Sequence, residues 1–193
     1  MIVLGLALAF AGARLYSRYD YQAKEAGVQA QVLLQEVEAE IKQRQLSPAK
    51  PEAPKGQMVQ AAVDGRGVIG ILQIEEAGVR LPVMHDWSYE QLESGPCRFS
   101  GTLEERNLVL MGHNYAGHLA NLDQLETGDS VEFVDILGTT HLYQVAQTAV
   151  IQPTEIDKVE ETDYPLTIFT CTPGGQKRYV VYCVQADSAD QIT

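Results

Sequence analysis

A thiol, an imidazole and a guanidinium each stand at the end of an apolar run in this sequence. Leu166-Thr167-Ile168-Phe169-Thr170 is apolar, β-branched or aromatic and leads directly into Cys171, which reads as a buried strand with a thiol at its end. Thr172-Pro173-Gly174-Gly175 is turn chemistry that cannot continue a strand, and Arg178-Tyr179-Val180-Val181-Tyr182 resumes as a second one. Thiol and guanidinium are therefore expected at the same end of two neighbouring strands. Thiolate attack on a carbonyl leaves negative charge on the oxygen, and a positioned cation stabilises it.

Such a thiol needs a base, because an ordinary cysteine is mostly protonated at neutral pH. Asn107 to Asn114, NLVLMGHN, is a further apolar strand whose end carries His113. Of the other histidines, His141 lies inside a strand without a polar signature, and His85 precedes Asp86-Trp87 in a loop. His118 is five residues past His113, near the expected mouth of the site, but the strand-end position favours His113 as the base. Reference values of about 8.5 for a thiol and about 6.5 for an imidazole favour the neutral pair by roughly 2.7 kcal/mol. The reactive ion pair is then a minority form unless Arg178 lowers the thiol, and slow turnover is expected.

These segments resemble the sortases, cysteine transpeptidases that attach proteins to Gram-positive cell walls. Thr167-Ile168-Phe169-Thr170-Cys171 is similar to the sortase T-L-x-T-C signature, with Ile168 in place of leucine. Met111-Gly112-His113-Asn114, followed by Asn121-Leu122, Leu125 and Gly128-Asp129, resembles the family's histidine segment. Arg178 falls where the family keeps its arginine, six residues separating it from Cys171, and the likeness runs from Gly67 to Gln185. The resemblance implies a mainly β fold, an eight-stranded closed β-barrel with short helices. It implies His113, Cys171 and Arg178 as catalytic residues, with Asn114 and Thr170 as supporting neighbours. The implied reaction is cleavage of an LPXTG-like sorting signal through a thioester, then transfer to an amine of a cell-wall precursor or a pilin. Rival readings are a cysteine hydrolase, an L,D-transpeptidase, and a tethered surface module whose cysteine is inert.

The elements that must position these residues are mostly short strands. Val68 to Ile74 and Val79 to Met84 flank the turn Glu75-Glu76-Ala77-Gly78, and Ser88 caps a short helix in Ser88 to Glu93. His118 to Leu125 reads as one or two helical turns, and Val131 to Val134 and His141 to Ile151 as strands. About seven or eight short strands with few helices indicate a barrel or sandwich rather than βαβ units.

The catalytic domain is expected over residues 61–193, after a Pro-rich linker over 47–60 with prolines at 48, 51 and 54 that reads as a spacer giving reach. Residues 21–46 read as an amphipathic helix with the stripe Ala23, Gly27, Ala30, Leu34, Val37 and Ile41, which packs on its own domain. Ile2 to Ala13 is an unbroken apolar or small run, shorter than the about 20 residues that cross a bilayer. By the resemblance to the sortases, residues 1–20 are read as a signal-anchor or its remnant, which implies a membrane-held extracellular domain, although Arg14 and Arg18 follow the run, opposite to the positive-inside expectation.

Charge divides at the same boundary: seven Lys/Arg stand against six Asp/Glu up to Gln60, and seven against twenty beyond it. So acidic a domain excludes nucleic acid as partner and suits a basic or neutral one. Cys97, Cys171 and Cys183 have no C-x-x-C spacing and are an odd set; Cys97 and Cys183 read as small buried hydrophobes, with a bridge between them left open. There is no Gly-rich phosphate loop, HExxH or EF-hand loop, so no cofactor or metal is expected. Glu160, Glu161 and Asp163 read as a solvated acidic loop rather than a calcium site.

Overall fold

The turn at Glu75 to Gly78 folds β2 (Arg66–Ile74) back on β3 (Val79–Met84) as an antiparallel pair, with Ile74 opposite Val79. A computed structural model describes residues 2–47 and 51–186. The other strands are β1 (Ala61–Val63), β4 (Cys97–Ser100), β5 (Leu108–Gly112), β6 (Ser130–Asp135), β7 (Thr140–Ile151), β8 (Leu166–Cys171) and β9 (Arg178–Gln185). Neighbours run β2-β3-β4-β5-β8-β9-β7-β6, and β6 returns to β2 with Gly70 opposite Asp135. Eight strands thus close on themselves and leave no open edge, while β1 adds to β2 outside the ring.

The expected strands are all present, and two more were not foreseen. β1 is three residues long, and β4, whose register with β5 shifts between Arg98 and Ser100, is held to β3 by the single pair Met84 with Cys97. Neither is long enough to show a period of two in sequence. Three short helices complete the fold: α2 (Tyr89–Leu92), capped by the Ser88 hydroxyl accepting from the Gln91 N–H, a 3-10 helix over Ala120–Gln124, and α3 (Asp157–Glu160). Inside the barrel Leu72, Ile74, Leu81, Leu108, Leu110, Phe133, Leu166, Ile168 and Val181 form one fully buried cluster.

Ahead of the barrel runs one helix, α1 (Ile2–Gln45). It runs without a break across residue 20, where the apolar first segment was expected to give way to the amphipathic one. Ala23, Ala26, Ala30, Leu33, Leu34, Val37 and Ile41 are buried along one face against β1, β2 and β3. Three alanines let the helix approach closely, and the four larger side chains each contribute about 1.5–3 kcal/mol of burial before entropy is subtracted. At its far end Gln45 donates to the Gly138 carbonyl at 3.1 Å. α1 is thus part of the domain expected to begin at residue 61, and its outer residues Phe10, Leu15 and Tyr16 are exposed.

This docking changes the meaning of the spacer, whose residues 48–50 lie outside the described ones. The segments on either side of it lie against the same barrel, Gln45 on Gly138 and β1 on β2. Among the described residues no helix is long and apolar enough to cross a membrane.

Ala30 is fully buried between α1 and the core. Ala30→Leu is expected to lift α1 from the barrel at a cost of about 1–3 kcal/mol, read as a lower urea midpoint and faster proteolysis within α1.

Candidate active site

β5 and β8 pair in parallel, Leu108 opposite Leu166 and Gly112 opposite Thr170. Parallel neighbours end on the same side, so the next residues, His113 and Cys171, emerge together. β9 runs antiparallel to β8 with Arg178 opposite Cys171. The register thus brings all three to one rim of the barrel from three adjacent strands.

Two hydrogen bonds bracket the His113 and Cys171 pair. One step inward, the buried Thr170 hydroxyl donates to the Gly112 carbonyl at 2.8 Å. One step outward, the Asn114 side-chain amide donates to the Thr172 carbonyl at 3.2 Å. Thr170 and Asn114 thus tie the histidine segment to the cysteine segment. Gly112 allows the approach, since a Cβ there would lie 2.6 Å from Leu119 Cδ1. Beyond Cys171 the chain turns through Gly174 and Gly175, both at left-handed φ (82° and 73°) that a Cβ resists.

A cleft of about 920 Å³ opens over this rim. His113, Asn114, Thr170 and Cys171 line it together with Tyr16, Tyr115, Asp123, Val150 and Tyr179. Arg178 is not among the lining residues: its guanidinium turns back to donate to the carbonyls of Gly175 (3.2 Å) and Lys177 (3.1 Å).

His113 is half-buried, and its surroundings pull on its proton in opposite directions. Burial lowers the pKa below the usual imidazole value, and Glu93 partly restores it. The Glu93 Oε1 lies 3.6 Å from His113 Nε2, a Coulombic approach rather than a hydrogen bond. Tyr115 stacks on the His113 ring, centroids 4.4 Å apart and planes 17° apart. His118 is buried against α1; burial lowers its pKa, the Ala26 carbonyl opposes that, and His113 adds to it. His85 pairs with Asp86 at 2.9 Å and His141 with Asp135 at 3.0 Å, and neither lines the cleft.

Glu93, Tyr115, Tyr16 and Asp123 escaped the sequence reading. Glu93 arrives as the C-cap of α2, and only the Ser88 cap hinted at a fixed position for that helix. Tyr16 comes from α1, far along the chain, with nothing in its neighbours to mark it.

The three cysteines occupy different environments and none is bridged. Burial pushes Cys97 and Cys183 each up to about 12, and they sit in separate apolar clusters, so the open question of a bond between them is answered. Cys171 is partly exposed in the cleft. No group of side chains among the described residues is arranged to hold a metal.

The sortase domain family model matches residues 72–186. Among solved structures, the chain is similar to a sortase D5 transpeptidase of Clostridium perfringens (TM-score 0.61, 19% identity, covering 83% of this chain and 99% of that one). It is similar to sortase C-3 of Streptococcus pneumoniae (TM-score 0.56, 24% identity, 86% and 90%). A third is C. perfringens sortase C solved with the C-terminal cell wall sorting motif (TM-score 0.56, 21% identity, 80% and 88%). No curated protein matches the chain.

The thiol environments predict selective modification. At about pH 8 a methanethiosulfonate reagent is expected to label one thiol of the native protein, Cys171, and three after denaturation. Mass spectrometry reads the count, and labelling of Cys97 or Cys183 in the native state would contradict the burial.

Proposed function

The chain belongs to the sortase family of cysteine transpeptidases, and from that premise we propose that Cys171 is its nucleophile, His113 its general acid and base, and Arg178 its oxyanion partner. The observation that carries the reading is the parallel ladder pairing Gly112 with Thr170, one residue before His113 and Cys171.

The Cys171 thiolate attacks the carbonyl carbon of the threonine in an LPXTG-like sorting signal, and negative charge collects on the oxygen. His113 gives its proton to the departing amine as the C–N bond breaks, leaving a thioester and a neutral imidazole. An incoming amine then bonds to the thioester carbon, the C–S bond breaks, and His113 takes the proton the new nitrogen sheds. Thiolate and imidazolium are restored together, so the cycle closes. Arg178 meets the oxyanion after exchanging its bonds to Gly175 and Lys177 for the substrate oxygen. Asn114 and Thr170 position the reacting pair through the bonds that bracket it, and Glu93 favours the imidazolium across 3.6 Å.

In this reading the first substrate is a surface protein with a C-terminal sorting signal, as on the C. perfringens sortase C solved with such a motif. The second is an amine of a cell-wall precursor or a pilin. The apolar start of α1 belongs to a membrane anchor, with the barrel on the extracellular side.

Incubating the protein with an LPXTG-like peptide and an amine tests the assignment. Transpeptidation gives the amide and hydrolysis the free acid, and Cys171→Ala is expected to remove both by at least about 10³-fold. An active Cys171→Ala protein would overturn the assignment.

The pH profile tests Glu93. A lowered His113 pKa keeps the imidazolium populated only at lower pH, so the acid limb of kcat/KM is expected below the ordinary imidazole value of about 6.5. Glu93→Gln removes a charge that favours the imidazolium. The limb should move further down, and kcat/KM at neutral pH should fall on the order of threefold. His118 and Tyr115, the other titratable groups against His113, are unchanged by that substitution.

A further inference from the structure

The cleft is one-sided in charge. Among the described residues lining it, Asp123 is the single carboxylate, and there is no lysine or arginine. Asp123 stands on the 3-10 helix Ala120–Gln124, whose Leu122 is fully buried in the core while Asp123 is exposed. That helix packs on β9, which begins beside Cys171. The Asp123 carboxylate makes no hydrogen bond or ion pair with any described residue. The same cleft also presents aromatic and apolar side chains: Tyr16, Tyr115, Tyr179, Val150 and Ala120. Tyr115, stacked on His113 at 4.4 Å, sets the base at the border of this region.

An unpartnered carboxylate in a cleft that also presents tyrosine rings and aliphatic groups complements an alkylammonium on an apolar stem. The charge meets the carboxylate and the rings attract the cation, while the stem covers apolar surface. We propose that Asp123, with Tyr16, Tyr115 and Tyr179, is the subsite that selects the second substrate: a primary amine arriving as ammonium at the end of an apolar stem, as in a lysine side chain. An amine with a carboxylate a few bonds away is disfavoured there by repulsion from Asp123. This rests on the thioester reading of Cys171.

The proton balance suits a carboxylate at that position. The bound ammonium gives one proton to solvent, and its nitrogen bonds to the thioester carbonyl carbon. The C–S bond breaks to free the Cys171 thiolate, and the second proton passes to His113. Nitrogen is positive on arrival and again in the tetrahedral intermediate, so Asp123 stabilises binding and bond formation alike.

The test compares acceptors of different charge on the full chain with an LPXTG-like peptide. Nα-acetyl-lysinamide is a cation at neutral pH, and hydroxylamine, which also resolves thioesters, is uncharged. The ratio of their kcat/KM values is expected to fall about five- to tenfold in Asp123→Asn. Asp123→Lys should turn preference toward an amine with a carboxylate a few bonds away, β-alanine. An unchanged ratio in Asp123→Asn, with hydroxamate still formed, overturns the acceptor subsite and leaves the thioester reading standing. If the unsubstituted protein makes neither hydroxamate nor amide, the thioester reading falls and the subsite with it.

Discussion

The parallel pairing of β5 with β8 is the constraint on which the site depends. Antiparallel neighbours would send His113 and Cys171 to opposite ends of the barrel; parallel ones deliver them to the same end, one residue past a matched pair. Parallel strands need a long crossover, and here the chain between Gly112 and Leu166 supplies β6, β7 and the 3-10 helix. The connection that makes the pairing possible thus also furnishes two strands of the ring and one wall of the cleft. Thr170 shows how closely the ladder and the site are joined. Its hydroxyl, buried in a run of apolar neighbours, is satisfied by the Gly112 carbonyl. A buried hydroxyl without such a partner would oppose folding.

Much of this was legible because it is written locally. Leu166 to Thr170 is apolar without alternation, the mark of a strand covered on both faces, and all five residues are buried. The Ser88 cap and the turn at Glu75 to Gly78 follow from backbone chemistry over four residues. What escaped depends on contacts between distant segments. β4 is a strand because Cys97 meets both Met84 and Met111. Glu93 bears on His113 because the C-cap of α2 comes within 3.6 Å of the residue that follows β5, which no spacing reveals. Arg178 is the instructive middle case: its backbone lies opposite Cys171 as the two runs suggest, yet its guanidinium follows nearby loop carbonyls. Register is set by main-chain bonding, whereas a long side chain chooses among local acceptors.

Charge and burial divide the tuning of the site between them. The domain is strongly acidic, but its negative surface does not by itself raise the pKa of His113. Desolvation acts first and outweighs the one carboxylate that approaches it. A close, half-exposed charge at 3.6 Å is screened by the water it still touches, whereas the loss of hydration is felt by the whole ring.

The separate burial of Cys97 and Cys183 also bears on how the molecule ages in an oxidising medium. Peroxide attacks sulfur it can reach, and of the three only the cleft sulfur of Cys171 is partly exposed. With its two fellow cysteines sealed in other apolar clusters, a sulfenic acid formed at Cys171 finds no resolving thiol within the chain. Its repair then falls to an external reductant.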